Sequence, residues 1–186
     1  QRHPNDVAFV GTVSDDMSRR DFTMNAMAFD PLKHELLDQY NGRDHLCQGQ
    51  LVCVGGPYQR FREDTLRPFR AFRFQSEYGL SFRDDTYEAL VTVSACMGNS
   101  LTESGLAGWP SSCRIRRELH GILMGPNWHT TIKRVDDMGW LCPWLPRRSQ
   151  WDDHHHVPHD ALARWAWLMT LDSVDEWARF FCFSKT

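Results

Sequence analysis

Residues 59–74 read QRFREDTLRPFRAFRF, and within them Asp64, Arg67, Arg70 and Arg73 recur at every third position beside Leu66, Phe69 and Phe72 at the same interval. Such a row is too charged for a core and too ordered for a solvated face. The pattern predicts a helix over 63–78, and a turn of about 100° per residue places Asp64, Arg67 and Arg70 within about 120° of one another. Arg73 rotates towards Leu66 and Phe69, where a guanidinium needs a partner or a route to water. Pro68 removes one backbone donor, which is mild in a first helical turn and costs about 3 kcal/mol in an interior. Taken alone, an aspartate one turn before an arginine reads as a surface ion pair of small worth. The same two groups also offer carboxylate acceptors and a rigid donor fork, which is what reading a nucleobase edge requires.

Outward from this helix, apolar residues at three and four spacing predict further helices over 84–93, 111–124 and 128–138. Residues 98–112, GNSLTESGLAGWPSS, read as a loop, with Ser111 and Ser112 as candidate caps and GPN at 125–127 as a stop. Upstream, DVAFVG at 6–11 and QLVCV at 50–54 have the β-branched and aromatic runs of strands, and ELLDQY at 35–40 is a weaker candidate. The front third is therefore mixed α and β and the rest helical. From 147 on, a polar spacer precedes two short apolar helices, and no internal repeat is present.

The 186 residues are 41% apolar and 24% charged, which is the composition of a soluble globular chain long enough to bury a core. A net charge of −3 excludes a uniformly basic nucleic-acid coat, but arginines cluster at 60–73 and 114–117 and leave room for a local basic groove. No run of eighteen apolar residues and no signal-peptide succession is found, which points to the cytoplasm and away from a membrane. Cys47, Cys53, Cys96, Cys113, Cys142 and Cys182 are scattered, without a C-x-x-C pair, and read as free thiols of a reducing compartment. Gln1 is not a start methionine, and the chain reads as a piece of a longer protein.

Three segments in register then carry a resemblance: RRDFTMNAMA at 19–28, DQYNGRDHL at 38–46 and EDTLR at 63–67. Together they closely resemble the class II tRNA nucleotidyltransferases, or CCA-adding enzymes, and the related bacterial poly(A) polymerases. The similarity extends through RIRRELHGILMGPNWHTTIKRVDDMGWLCPWLP to residue 146 and more loosely through RWAWLM and FSKT. It implies a mainly α protein: the C-terminal part of a polymerase-β-like α/β nucleotidyltransferase head over 1–56, a nucleotide-selecting helical neck over 57–110, and a reduced helical body over 111–186 with a possible RNA-binding role. The implied activity is transfer of CMP or AMP from CTP or ATP to a tRNA 3′ end or other RNA, with release of pyrophosphate. Carried across, Arg20 contacts the incoming nucleotide, Asp64 and Arg67 read its base, and Arg70 and Arg73 line the site. Arg19, Asp21, Asn25 and Glu63 support it, Asp21 and Asn25 as sugar contacts or scaffolding.

The chain departs from the family in lacking the upstream glycine-rich turn and the D-x-D pair that holds magnesium. The adjacent pairs Asp15-Asp16, Asp84-Asp85, Asp136-Asp137 and Asp152-Asp153 lack the one-residue gap and read as solvated or capping. Mg2+ is thus expected for the complete enzyme, with no catalytic or metal residue in this chain. His45 stands where the family has an aspartate. DDHHHVPHD at 152–160, spanning His154 to His159, suggests a phosphohydrolase metal site, but Pro158 interrupts its helix and no later signature follows. The eight tryptophans read as packing rather than base stacking, and Arg114, Arg116 and Arg117 as an RNA-backbone contact or a solvated face. Two rival readings remain: a poly(A) polymerase, and a non-catalytic nucleotide- or RNA-binding half that complements a separate head-domain chain.

Overall fold

The computed structural model describes residues 11–98, 110–141 and 157–169. Among them are eight helices and two small sheets: α1 Val13–Ser18, β1 Ala28–Asp30, β2 Glu35–Leu37, α2 Gly42–Cys47, β3 Gln50–Leu51, α3 Pro57–Glu63, α4 Arg67–Tyr78, β4 Ser81–Phe82, α5 Asp84–Gly98, α6 Ser112–Met124, α7 Trp128–Asp137 and α8 Ala161–Met169. A 3-10 turn, Thr23–Asn25, precedes β1. The segment 6–11, the loop beyond 98 and the His154–His156 run fall wholly or largely outside the described residues.

The single helix expected over 63–78 is two helices. Asp64 ends α3 in an extended conformation (φ −140°, ψ 106°), and α4 restarts at Arg67. Pro68 explains the break, because in a continuous helix its ring would meet the carbonyl of Asp64 and give it no hydrogen bond. That carbonyl instead accepts from the Arg67 backbone N–H at 2.9 Å. Pro68 consequently lies in the first turn of α4, where it is tolerated. Gly79, left-handed at φ 68°, closes α4 by donating to the Gln75 carbonyl at 2.9 Å.

Leu66, Phe69 and Phe72 are all buried, and α4 is the central helix of the core, packed on α6 and α7. Phe69 meets the buried Trp140 edge-on at 5.5 Å, and Phe22 meets Phe74 at 5.7 Å. Trp128, Trp140 and Trp165 are core residues, while Trp109, Trp144, Trp151 and Trp177 lie outside the described residues. β1 and β2 pair as an antiparallel hairpin, β3 and β4 as a short parallel pair, and Phe22 bridges Cys53. Of the adjacent aspartates, Asp136 is buried rather than solvated, because α7 turns it inward with Ile132 and Val135.

Gly125 locks α6 against α4. A Cβ there would lie 2.2 Å from Ser76 Oγ and 2.7 Å from the Ser76 carbonyl oxygen. Ser76 in turn donates to the Ile122 carbonyl at 2.7 Å and accepts from the Asn127 backbone at 3.2 Å. Gly125→Ala is therefore expected to lower stability by about 1–3 kcal/mol, the range for overpacking a filled site, as read by urea unfolding.

The DQYNG segment has a local logic of its own. Asn41 is left-handed at φ 56°, and the Asp38 carboxylate accepts from the backbone of Gly42 at 2.7 Å and of Arg43 at 2.9 Å. It thus satisfies two open donors at the start of α2. A Cβ on Gly42 would sit 2.2 Å from the Thr23 carbonyl oxygen, so only glycine fits. His45, on the same short helix, places Nδ1 3.0 Å from Thr23 Oγ1.

Candidate functional site

The break between α3 and α4 presents Asp64 as a half-exposed carboxylate instead of laying it along a helix face. Its Oδ1 accepts from the Leu66 backbone at 3.0 Å, which fixes the turn. Oδ2 lies 3.2 Å from Nη2 of Arg114 on α6. Arg67, first residue of α4, reaches backwards: Nη1 donates to the Arg60 carbonyl at 3.0 Å and to Glu63 Oε2 at 2.9 Å, and Nη2 points at the Arg19 carbonyl at 3.5 Å.

Arg60 does the companion work, donating to the Val54 carbonyl at 2.9 Å, to Glu63 at 3.0 Å and to the Ser18 carbonyl. Two guanidiniums thereby tie the 18–19 segment, the bend at Val54 and the α3–α4 break into one unit. The hydrogen bond from Arg67, then that from Arg60, holds the Glu63 carboxyl below its usual range. The contribution of these bonds is present above the ordinary carboxylate range and lost as pH falls through the lowered value.

Arg70 Nε meets Asp21 Oδ2 at 2.5 Å, and Asp21 Oδ1 also accepts from the Phe22 backbone at 3.0 Å and from Asn25 Nδ2 at 3.3 Å. Arg20 is exposed and pairs with Asp16 at 2.6 Å. Arg73 faces the other way, towards α6: Nε meets Glu118 at 2.6 Å, Nη1 meets Glu77 at 2.8 Å, and the guanidinium lies over Phe74 at 4.2 Å. Arg67, Glu63 and the Arg19 carbonyl thus meet at the break, Arg70, Asp21 and Asn25 form a second group, Arg20 pairs with Asp16, and Arg73 joins two helices of the core.

The description "Poly A polymerase head domain" matches residues 1–52. A CCA-adding enzyme of Anoxybacillus flavithermus is 32% identical over 96% of this chain, which spans 41% of that relative. Among solved structures, the Bacillus stearothermophilus CCA-adding enzyme in complex with CTP is 30% identical with a TM-score of 0.65, over 76% of this chain and 33% of that one. The Thermotoga maritima CCA-adding enzyme complexed with tRNA superposes with a TM-score of 0.60 at 26% identity, over 75% and 32%. The chain belongs to the tRNA nucleotidyltransferase and poly(A) polymerase family. It spans about two fifths of the length of the curated relatives it matches.

The magnesium that the family resemblance implies finds no holder among the described residues. Among the described residues no group of three or more His, Cys, Asp or Glu side chains converges on one point. Asp15 is bonded by Thr12, Asp16 by Arg20, and Asp85 by Arg83. These residues do not fit a metal pair. At the far end, His159 Nε2 lies 3.2 Å from the Met124 carbonyl at the end of α6, and Asp160 accepts from the Ala163 backbone at 3.0 Å at the start of α8. No helix among the described residues is long and apolar enough to cross a membrane.

Sequence reasoning missed Arg60, whose spacing of three before Glu63 and seven before Arg67 was the available signal. It also gave Arg114 to RNA or solvent, where the structure pairs it with Asp64 across fifty residues of chain.

Proposed function

We propose that this chain is the nucleotide-selecting portion of a CCA-adding tRNA nucleotidyltransferase, with residues 1–56 as the end of a head, 57–110 as a neck and 111–186 as a reduced body. The observation that carries it is the α3–α4 break, which holds Asp64 on an immobilised turn beside Arg67 in a chain similar to a CTP-bound CCA-adding enzyme. Cytosine and adenine share an exocyclic amine that donates to a carboxylate, whereas guanine and uracil turn a carbonyl acceptor towards the same place. Asp64 therefore favours CTP and ATP, Arg67 donates to the neighbouring ring acceptor, and Arg20 swings from Asp16 to the phosphates. Asp21 and Asn25 hold Arg70, and Glu63 holds Arg67. Arg73 acts from behind, as the bolt between α4 and α6.

In this reading, the carboxylates that would hold magnesium for the transfer are not among the described residues, and a head-domain segment or chain would supply them. The poly(A) polymerase alternative uses the same base-reading pair, and product length on a tRNA without its CCA end separates the two. Calorimetry with CTP and ATP, against UTP and GTP, tests the core claim. Selective binding that disappears in Asp64→Ala is the expected result, and equal binding of all four nucleotides would sink the assignment.

A further inference from the structure

The carboxylate of Asp64 is held by two donors that lie far apart in the chain. Oδ1 accepts from the Leu66 backbone at 3.0 Å, and Oδ2 accepts from Nη2 of Arg114 at 3.2 Å. The outer torsion of an aspartate side chain is broad and roughly two-fold. One hydrogen bond, from the turn itself, therefore leaves the plane of the carboxylate loosely defined. A donor on the second oxygen settles it, and α6 supplies that donor.

Packing of α6 on α4 sets where Arg114 stands. Arg73 meets Glu118 at 2.6 Å and Ser76 donates to the Ile122 carbonyl at 2.7 Å, so the contacts climb both helices together. Arg114 lies one turn before Glu118 on the same side of α6, at the level of the α3–α4 break. Ile115 beside it is wholly buried, whereas the Arg114 side chain is 50% exposed. Its backbone is anchored in the core and its head group stands at the surface.

The geometry suits a partner that orients Asp64 better than one that blocks it. An ionised carboxylate offers about four acceptor sites, and the two donors named take one on each oxygen. The Arg114 contact is a single N–H at the long end of the hydrogen-bond range, longer than charge-assisted pairs usually are. Oδ2 can thus accept from a second donor, such as the exocyclic amine of a base, without Arg114 departing. An exposed ion pair adds little to stability, but a base edge is read only when its acceptor is held within about 10–20° of the productive orientation.

We propose that Arg114 is a positioning residue for base selection, fixing through Oδ2 the plane in which Asp64 meets the amine of cytosine or adenine. This rests on the base-selecting reading of Asp64 above, and the measurement separates the two. Affinities for CTP, ATP, UTP and GTP are measured by calorimetry on the 186-residue chain, on Arg114→Ala, Arg114→Lys and Asp64→Ala, and on the Asp64→Ala/Arg114→Ala double variant. Urea unfolding is run on each. The quantity read is the ratio of CTP to UTP affinity, in which contacts to the triphosphate and their salt dependence cancel.

Arg114→Ala is expected to lower that ratio about 2- to 5-fold, the change to which the worth of an exposed ion pair converts, with the unfolding midpoint unmoved. Arg114→Lys keeps a charged donor and should retain most of the ratio. In the Asp64→Ala background the same substitution should change nothing, because Arg114 acts only through that carboxylate. Raising salt from about 0.1 M to about 1 M should lower the ratio of the parent chain and leave that of Arg114→Ala flat, since only the parent has the pair to screen. A folded Arg114→Ala chain that keeps the parent ratio overturns the proposal and leaves Asp64 as the base reader. So does tighter binding of CTP and ATP by that variant, because Arg114 would then compete with the base. Equal binding of all four nucleotides by the parent chain would bring down both readings.

Discussion

Arg67→Ala is expected to reduce the preference for CTP and ATP over UTP and GTP by about 1–3 kcal/mol, the worth of one well-oriented pair of hydrogen bonds to a base edge. That corresponds to roughly a 5- to 150-fold change in relative affinity. Arg67 reaches this importance because its own side chain is held from three directions, by the carbonyls of Arg60 and Arg19 and by Glu63. A donor fork fixed in this way discriminates between bases, since a wrong edge cannot recruit a different rotamer. The ratio of affinities, and not affinity itself, is the decisive readout, with thermal unfolding run beside it because the substitution also removes a tie between Arg19 and α4. A ratio that survives in a folded Arg67→Ala chain would remove Arg67 from base selection.

The second large effect is on stability. Glu118→Ala is expected to cost about 3 kcal/mol, the lower end of the range for stripping one partner from a buried ion pair. Glu118 is 6% exposed and meets Arg73 at 2.6 Å between α4 and α6. Glu77 remains at 2.8 Å to share the charge, which is why the lower end applies. Arg73 has no easy retreat, since its side chain lies against the backbone of Gly121, where an added Cβ would come within 2.3 Å of Arg73 Cδ. Glu77→Ala, at the more exposed partner, should change stability by no more than about 1 kcal/mol. Were Arg73 a nucleotide ligand instead, Glu118→Ala would leave unfolding by urea unmoved and alter CTP binding, and that pattern would refute its role as a bolt.

Most of the helical part of the fold was legible because its apolar spacing is long and regular. The segments over 111–124 and 128–138 appear almost residue for residue as α6 and α7, and the short reading over 84–93 extends to Gly98 in α5. Legibility failed where elements are too short for a period to show. α1 and α2 have six residues each, and β1 and β4 three and two. Asp38 could be read as a start signal only once Gly42 and Arg43 were seen to donate to it. The 50–54 strand keeps only Gln50–Leu51 in a pair, and Cys53 is joined to Phe22 by a lone bridge.

By itself the sequence determined which residues are candidates for the site, because EDTLR, RRDFT and DQYNG are local patterns whose order and spacing survive without any fold. It also determined that Leu66, Phe69 and Phe72 would be inside, since a three-residue apolar row on a helix has one face to hide. The tertiary structure alone decided which way each charge would face. Pro68 broke the helix and turned Asp64 out of the row towards Arg114, and Glu118, forty-five residues downstream of Arg73, drew that arginine into the core. A charged side chain is placed by its partner, and partners that far apart in the chain become neighbours only when α4 and α6 pack.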